Sequence, residues 1–452
     1  MNTLDTPKRL PSLALVLLLF LIVPAGAQQI GYPTTQQGVL PPQGTYAIRN
    51  ARIVTVSGPV IENGTIVIRE GKIVAVGQTV NIPAGAQQID AKGLSVYPGM
   101  IDASTSLGLV EVGQGAPGTV DLSEVGDLNP NAKAITAVHP HSAHIAITRV
   151  DGVTSTVTLP LGGLISGQAT IINLVGTTPQ EMAVVPHAAL VINLPRIAGG
   201  GGFGPPPQQI ANLPEVLSRI QTQVDRIKEM FRDAEVYGRA HEAYEKDPKL
   251  PRPDRNLVLE SLVPYARGER PVILRAEREA EIRSALRFAE DLKLKPIILG
   301  GNDAAKVVSL LKEKDVPVIL TGIFSLPMRE DDPYDILYAT AAKLYEGGVR
   351  FCISSDNRGA NVRNLPQYAG MAAAHGLPPA EALKAVTLYP AQIMNVGDRL
   401  GSIEVGKMAN LVITDGDLLE VRSQVRRVFI DGRDIPLTSR HTDLYDAFKN
   451  RR

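Results

Sequence analysis

Three of the chain's 7 histidines fall inside the stretch AVHPHSAHIAITR, at His139, His141 and His144. A neutral imidazole offers a lone pair to Zn²⁺ or Cu²⁺, so close spacing of this kind makes a candidate metal site of non-standard type. Glu124 or Asp127, just upstream, would add a carboxylate oxygen. Alternation along a strand would put His139 and His141 on one face, whereas Pro140 argues against a regular central strand. The other reading is a loop cluster making ordinary hydrogen bonds. His187, His241, His375 and His441 stand alone in the sequence and their spacing suggests no ligand set.

Two further motifs carry little chemistry. The segment LGGLISGQ (161–168) lacks the Gly-Lys-Ser/Thr ending of a phosphate-cradling loop. Its Ser166 has no neighbouring base and does not occupy a G-x-S-x-G elbow. Cys352 lies inside an apolar run and reads as core rather than nucleophile.

Composition bounds the class. Lys plus Arg and Asp plus Glu number 46 each, so no net field favours nucleic acid or an anionic membrane. Trp is absent and aromatics make up 4%, against a stacking surface for sugars or bases. The single cysteine rules out an internal disulfide. Lys8 and Arg9, an apolar run over 13–23 and Ala25-Gly26-Ala27 have the order of a secretory signal peptide. Cleavage before Gln28 would give an exported protein, periplasmic or extracellular, with no membrane contact after cleavage; an uncleaved anchor is the alternative.

The elements that must position any site alternate in kind along the chain. After a flexible lead-in rich in Gln, Pro and Gly (28–44), short strands are expected over 47–56, 65–69 and 72–77, the last two joined by a Glu70-Gly71 turn. Strands over 89–90 and 94–97 follow. From 271 onward strands and helices alternate: strands 271–274, 296–299, 316–320 and 349–353, helices 277–292, 303–311 and 335–345. Four such units fit the second half of a (β/α)₈ barrel. The segment 199–207, GGGGFGPPP, precedes a long helix with apolar residues from Leu217 to Ala234 at three- and four-residue steps. Asn212 and Glu215 suggest a capping box at its start. This insertion, near 199–247, reads as a lid, a dimer contact or decoration.

Several phrases together resemble the metal-dependent amidohydrolase superfamily, most closely its imidazolonepropionase-like branch. They are IENGTIVIREGKIVAVG (61–77), PGMIDASTSLG (98–108), FCISSDNRGANVRNL (351–365) and the return DRLGSIEVGK (398–407). The resemblance implies a TIM-like (β/α)₈ barrel over 99–395. It also implies a small β-sandwich domain built from both chain ends, 45–98 and 396–437. Asn410 stands where family members usually carry Asp.

The family places metal ligands at the ends of barrel strands: His-x-His after strand one, Lys or Glu after four, His after five and six, Asp after eight. Here Ser104 and Ser106 fill the first pair, Arg275 the fifth position and Gly300 the sixth, and no strand-four bridge stands out. Only Asp356 matches. The resemblance implies hydrolysis of a carbon–nitrogen bond other than a linear peptide bond, or of a cyclic amide, small amide or dipeptide. Asp356 would be the general base and Arg275 would orient or neutralise the oxyanion, with no metal at the usual positions. The competing expectation is an inactive exported barrel that binds a small ligand or a protein partner. A homo-oligomer stays open.

Overall fold

The computed structural model describes residues 40–113, 116–196, 212–355 and 359–450. The expected signal peptide, most of the lead-in, the 199–207 segment and Asp356 lie outside the described residues.

The chain first lays down β1 (Tyr46–Ile53), β2 (Ile61–Arg69), β3 (Lys72–Gly77), β4 (Gln87–Asp90) and β5 (Ser95–Pro98). The β2–β3 hairpin closes where the sequence suggests. Glu70 and Gly71 take φ of +52° and +76°, the left-handed pair that a two-residue hairpin turn requires. Eight barrel strands follow: β6 (Met100–Thr105), β7 (Val153–Thr158), β8 (Ile165–Asn173), β9 (Ala183–Ile192), β10 (Pro271–Ala276), β11 (Lys295–Gly300), β12 (Val318–Leu320) and β13 (Phe351–Ile353). The chain then returns through β14 (Leu411–Thr414), β15 (Val425–Ile430) and β16 (Arg433–Ile435).

The terminal strands form one sheet, in which β14 pairs antiparallel with β5, Leu411 opposite Pro98. Both chain ends are therefore tied through backbone hydrogen bonds, as the resemblance implies. The other sheet runs β6 to β13 in sequence order and nearly closes on itself. Its third strand departs from a regular (β/α)₈ pattern, since β8 is antiparallel to both β7 and β9. Strands β7, β8 and β9 are joined without long helices, whereas β9 to β13 are parallel.

The second half matches the periodicity in the sequence. The helix Glu279–Asp291 buries Ile282, Ala285, Leu286 and Ala289, each contributing on the order of 1–3 kcal/mol on leaving water. The expected helix over 303–311 is split, with a 3₁₀ turn at Ala304–Lys306 before a helix at Val308–Glu313. The long helix runs Leu213–Lys246 and buries Ile227, Phe231 and Ala234. Its start is not a reciprocal capping box. The Asn212 amide donates to Glu215 Oε2 at 2.7 Å and accepts no backbone N–H. The described end of the lead-in is held rather than loose: the Arg433 guanidinium donates to Pro41 O at 2.6 Å.

Among the described residues no helix is long and apolar enough to cross a membrane.

Candidate functional site at the barrel mouth

Two apolar clusters define the inner and outer faces of the second-half strands. Ile273, Ile297, Leu299, Ile319 and Cys352 pack together inside the barrel. Their sequence neighbours Val272, Leu274, Ile298, Val318 and Ile353 belong to the other cluster, which includes the buried face of the Glu279–Asp291 helix. Strand alternation therefore places Arg275, two residues after Ile273, on the interior side at the end of β10. Arg275 is half-buried. It lines a rim cleft of about 460 Å³ together with Arg196, Arg278 and apolar walls from Leu194, Leu217 and Ile220.

The strand-six position is bare, and more than bare. Gly300 has φ +115°, a conformation L side chains rarely adopt, and a Cβ there would sit 2.5 Å from Glu277 Cδ. The Glu277 carboxyl group thus fills the space a ligand side chain would need. Glu277 escaped the sequence reading; the only signal was a carboxylate two residues beyond Arg275, and its contact depends on Ala276 lying opposite Gly300.

At the first-strand position Ser104 is fully buried, and its Oγ has no hydrogen-bond partner among the described residues. Ser106, also buried, accepts from Gly359 N at 3.3 Å. Beside them Asp102 joins the two edges of the barrel. Ser354 Oγ lies 2.5 Å from Asp102 Oδ1 and 2.9 Å from Ser104 O, and the Ser355 hydroxyl donates to Asp102 Oδ2. Backbone N–H groups of Ser104 and Ser355 reach Oδ1 at 3.2 and 3.3 Å. Burial raises the Asp102 carboxyl above its ordinary range, although the serine hydrogen bonds oppose the shift.

A second rim feature cross-ties three loops. Asp303 accepts Arg329 Nη1 at 3.0 Å and Nη2 at 2.7 Å, and Glu279 N at 3.2 Å. Burial alone would push its carboxyl up, but the Arg329, Glu279 N–H and Lys306 contacts outweigh that and hold it at about 2. This bidentate pair fixes the loops after β10, β11 and β12.

These side chains do not suit the family's metal. Serine hydroxyls ligate Zn²⁺ poorly, Arg275 cannot give up its proton, and Gly300 has nothing to offer. The histidine group also takes no strand. Helices Ala134–Ala137 and Ala143–Arg149 flank His139 and His141, whose rings lie 6.0 Å apart. His144 Nε2 is 3.1 Å from Glu111 O, and the Glu111 carboxylate takes Ser142 Oγ at 2.5 Å and Ala143 N at 3.0 Å. Among the described residues no group of three or more His, Cys, Asp or Glu is arranged to hold a metal ion. Ser166 is likewise structural: its hydroxyl donates to Gly162 O at 2.7 Å and accepts from Asn193 Nδ2 at 2.9 Å. Cys352 is fully buried, and burial raises its thiol well above the usual value.

Comparison with known proteins bears on this geometry. The solved structure of an amidohydrolase from Thermotoga maritima MSB8 superposes with a TM-score of 0.76 at 25% identity, covering 86% of this chain and 99% of that one. The amidohydrolase family model matches residues 337–435, which span β13 and the return strands. The chain belongs to the amidohydrolase superfamily. Among its relatives, amidohydrolase tasK of Hapsidospora irregularis is 25% identical over 414 residues, 82% of this chain but 39% of the relative. The imidazolonepropionase of Geobacillus sp. (strain WCH70) is 41% identical over 80 residues, 17% of this chain and 19% of the relative. The chain thus spans about two-fifths of one curated relative's length and a fifth of the other's. As an amidohydrolase-superfamily barrel it keeps the frame and changes the rim: Ser104, Arg275 and Gly300 occupy the ends of β6, β10 and β11.

Proposed function

We propose that this chain hydrolyses a carbon–nitrogen bond other than a linear peptide bond, or the amide bond of a small cyclic amide or dipeptide, as an imidazolonepropionase-like member of its superfamily. The observation that carries the reading is the rim cleft. About 460 Å³ of space with apolar walls, Arg275, Arg278 and Arg196 at its edge, and Glu281 paired with Arg196 at 3.9 Å suits a small ligand with a polar or anionic end. Asp356, the residue after Ser355, takes the proton from water as the hydroxyl oxygen adds to the carbonyl carbon. Arg275 faces the developing oxyanion with fixed N–H donors. Collapse of the tetrahedral adduct breaks the C–N bond, and Asp356 returns its proton to the departing nitrogen. No step runs through a metal, because the side chains at the usual ligand positions do not suit one.

A second reading is an exported barrel that binds a small ligand or a protein partner without chemistry. It is favoured by one observation: Glu277 fills the strand-six position over Gly300, and unassisted water is a poor nucleophile for Asp356 to activate. Incubating the purified full chain with small cyclic amides and dipeptides, with products read by mass spectrometry and binding by calorimetry, tests both. Turnover that Asp356→Asn abolishes supports the hydrolase. Binding without turnover supports the second reading, and neither binding nor turnover overturns both.

A further inference from the structure

Far from the rim, one cation is buried without a counter-charge. Arg149 ends the helix Ala143–Arg149 and is 8% exposed. Among the described residues its Nε has no hydrogen-bond partner, and its Nη1 reaches only Leu174 O, at a long 3.5 Å. No carboxylate forms an ion pair with it among the described residues. The nearest acidic residue in sequence, Asp151, is influenced by Arg363 instead. Burial alone pulls the guanidinium down to about 10, with no opposing charge holding it up. A buried ion left in this state is costly unless something neutralises it.

Space for a neutralising group lies against it. Arg149 lines a small cavity of about 30 Å³ whose other walls include Pro41, Pro140, Ile145, Leu174 and Ile435. That volume holds about two water-sized bodies. Among the described residues no other charged side chain lines the cavity, so their field there comes from the guanidinium. Water would satisfy the Nε hydrogen but leave the charge uncompensated, whereas a halide would satisfy both. We propose that this chain binds one small monovalent anion, of chloride's size, on Arg149 where the barrel meets the terminal sheet. Pro41 and Ile435 come from the terminal segments and Pro140, Ile145 and Leu174 from the barrel side. The anion therefore acts as a clasp between the two, independent of any chemistry at the rim.

The test uses the full chain. Crystals soaked in sodium bromide should give an anomalous peak beside Arg149 Nε. Melting in sodium chloride should exceed melting in sodium gluconate at equal ionic strength by roughly 2 °C, as expected for a ligand bound only by the folded state. Arg149→Met should abolish both the peak and the salt difference, while sodium sulfate should behave as gluconate does. Water density without a bromide peak, or equal melting in the two sodium salts, overturns the proposal. Should Arg149→Met fail to fold, the two wild-type measurements decide it alone.

Discussion

Asp102 and Ser354, 252 positions apart, meet at 2.5 Å across the seam where the last barrel strand returns to the first. The Ser354 hydroxyl has one proton but two acceptors in reach, Asp102 Oδ1 and Ser104 O at 2.9 Å. Asp102 Oδ1 also accepts the backbone N–H groups of Ser104 and Ser355, and Oδ2 accepts the Ser355 hydroxyl, so donors surround the carboxyl group. Burial pushes the carboxyl up, and these hydrogen bonds oppose the shift.

Asparagine keeps one acceptor oxygen for these donors but turns an amide N–H group toward the rest. Asp102→Asn should therefore lose about 1 kcal/mol, and Asp102→Ala about 3 kcal/mol by leaving the serines without partners. Urea denaturation at neutral pH measures both. Equal damage from the two substitutions would refute this ranking.

Asn410 offers a second donor-and-acceptor argument. Its Nδ2 donates to Asn173 Oδ1 at 2.8 Å and to Ser155 Oγ at 3.1 Å, and its Oδ1 accepts Asp431 N at 2.8 Å. It couples the return segment to β7 and β8, and the aspartate usual at this position could not donate. Asn410→Asp should cost about 2 kcal/mol at pH 7 by setting a buried carboxylate against the Asn173 carbonyl oxygen. The loss should shrink in acid, as the new group takes up a proton. Denaturation curves at pH 7 and pH 4 would show this, and an unchanged midpoint at pH 7 would refute it.

Particular residues show what the sequence could reveal. The Glu70-Gly71 turn and the strand–helix cycle from 271 to 353 were legible because turn chemistry and hydrophobic period are local properties. The barrel strands β7 to β9 were not assigned from sequence. The residues Ile165–Asn173 are buried throughout, so β8 shows no two-residue alternation, and strand direction leaves no mark on composition. At the rim, the motifs located the ends of β6, β10 and β11 but not what surrounds them. The Glu277 contact with Gly300 and the Asp303–Arg329 pair both join different loops, and such meetings depend on strand register rather than on spacing.

Asp151 gives a pH prediction. Burial raises its carboxyl from 3.8 to about 6, with Arg363 opposing. The folded value is the higher one, so the charged form penalises folding. The penalty is absent below about 3.8, grows between there and 6, and is complete above 6. Asp151→Asn should therefore stabilise the chain at pH 7.5 by about 2 kcal/mol, after discounting for the group's partial exposure. The gain should vanish near pH 3.5. Denaturation midpoints at the two pH values decide it, and a gain that grows in acid would show the sign to be wrong.

Arg275 and Asp356 separate the two functional readings by kinetics. If the guanidinium stabilises an oxyanion, Arg275→Ala should lower kcat by about 10²- to 10³-fold with a smaller change in KM. Arg275→Lys should recover part of the loss, keeping the charge but not the fork of N–H donors. Asp356→Asn should remove turnover while leaving ligand affinity within about threefold, because a general base acts on the reacting water and not on ground-state binding. A barrel that only binds its ligand would respond differently. Arg275→Ala would then weaken affinity, seen by calorimetry, and Asp356→Asn would produce no catalytic phenotype to measure. Loss of turnover in Arg275→Ala through KM alone would assign the guanidinium to holding the substrate rather than to the reaction.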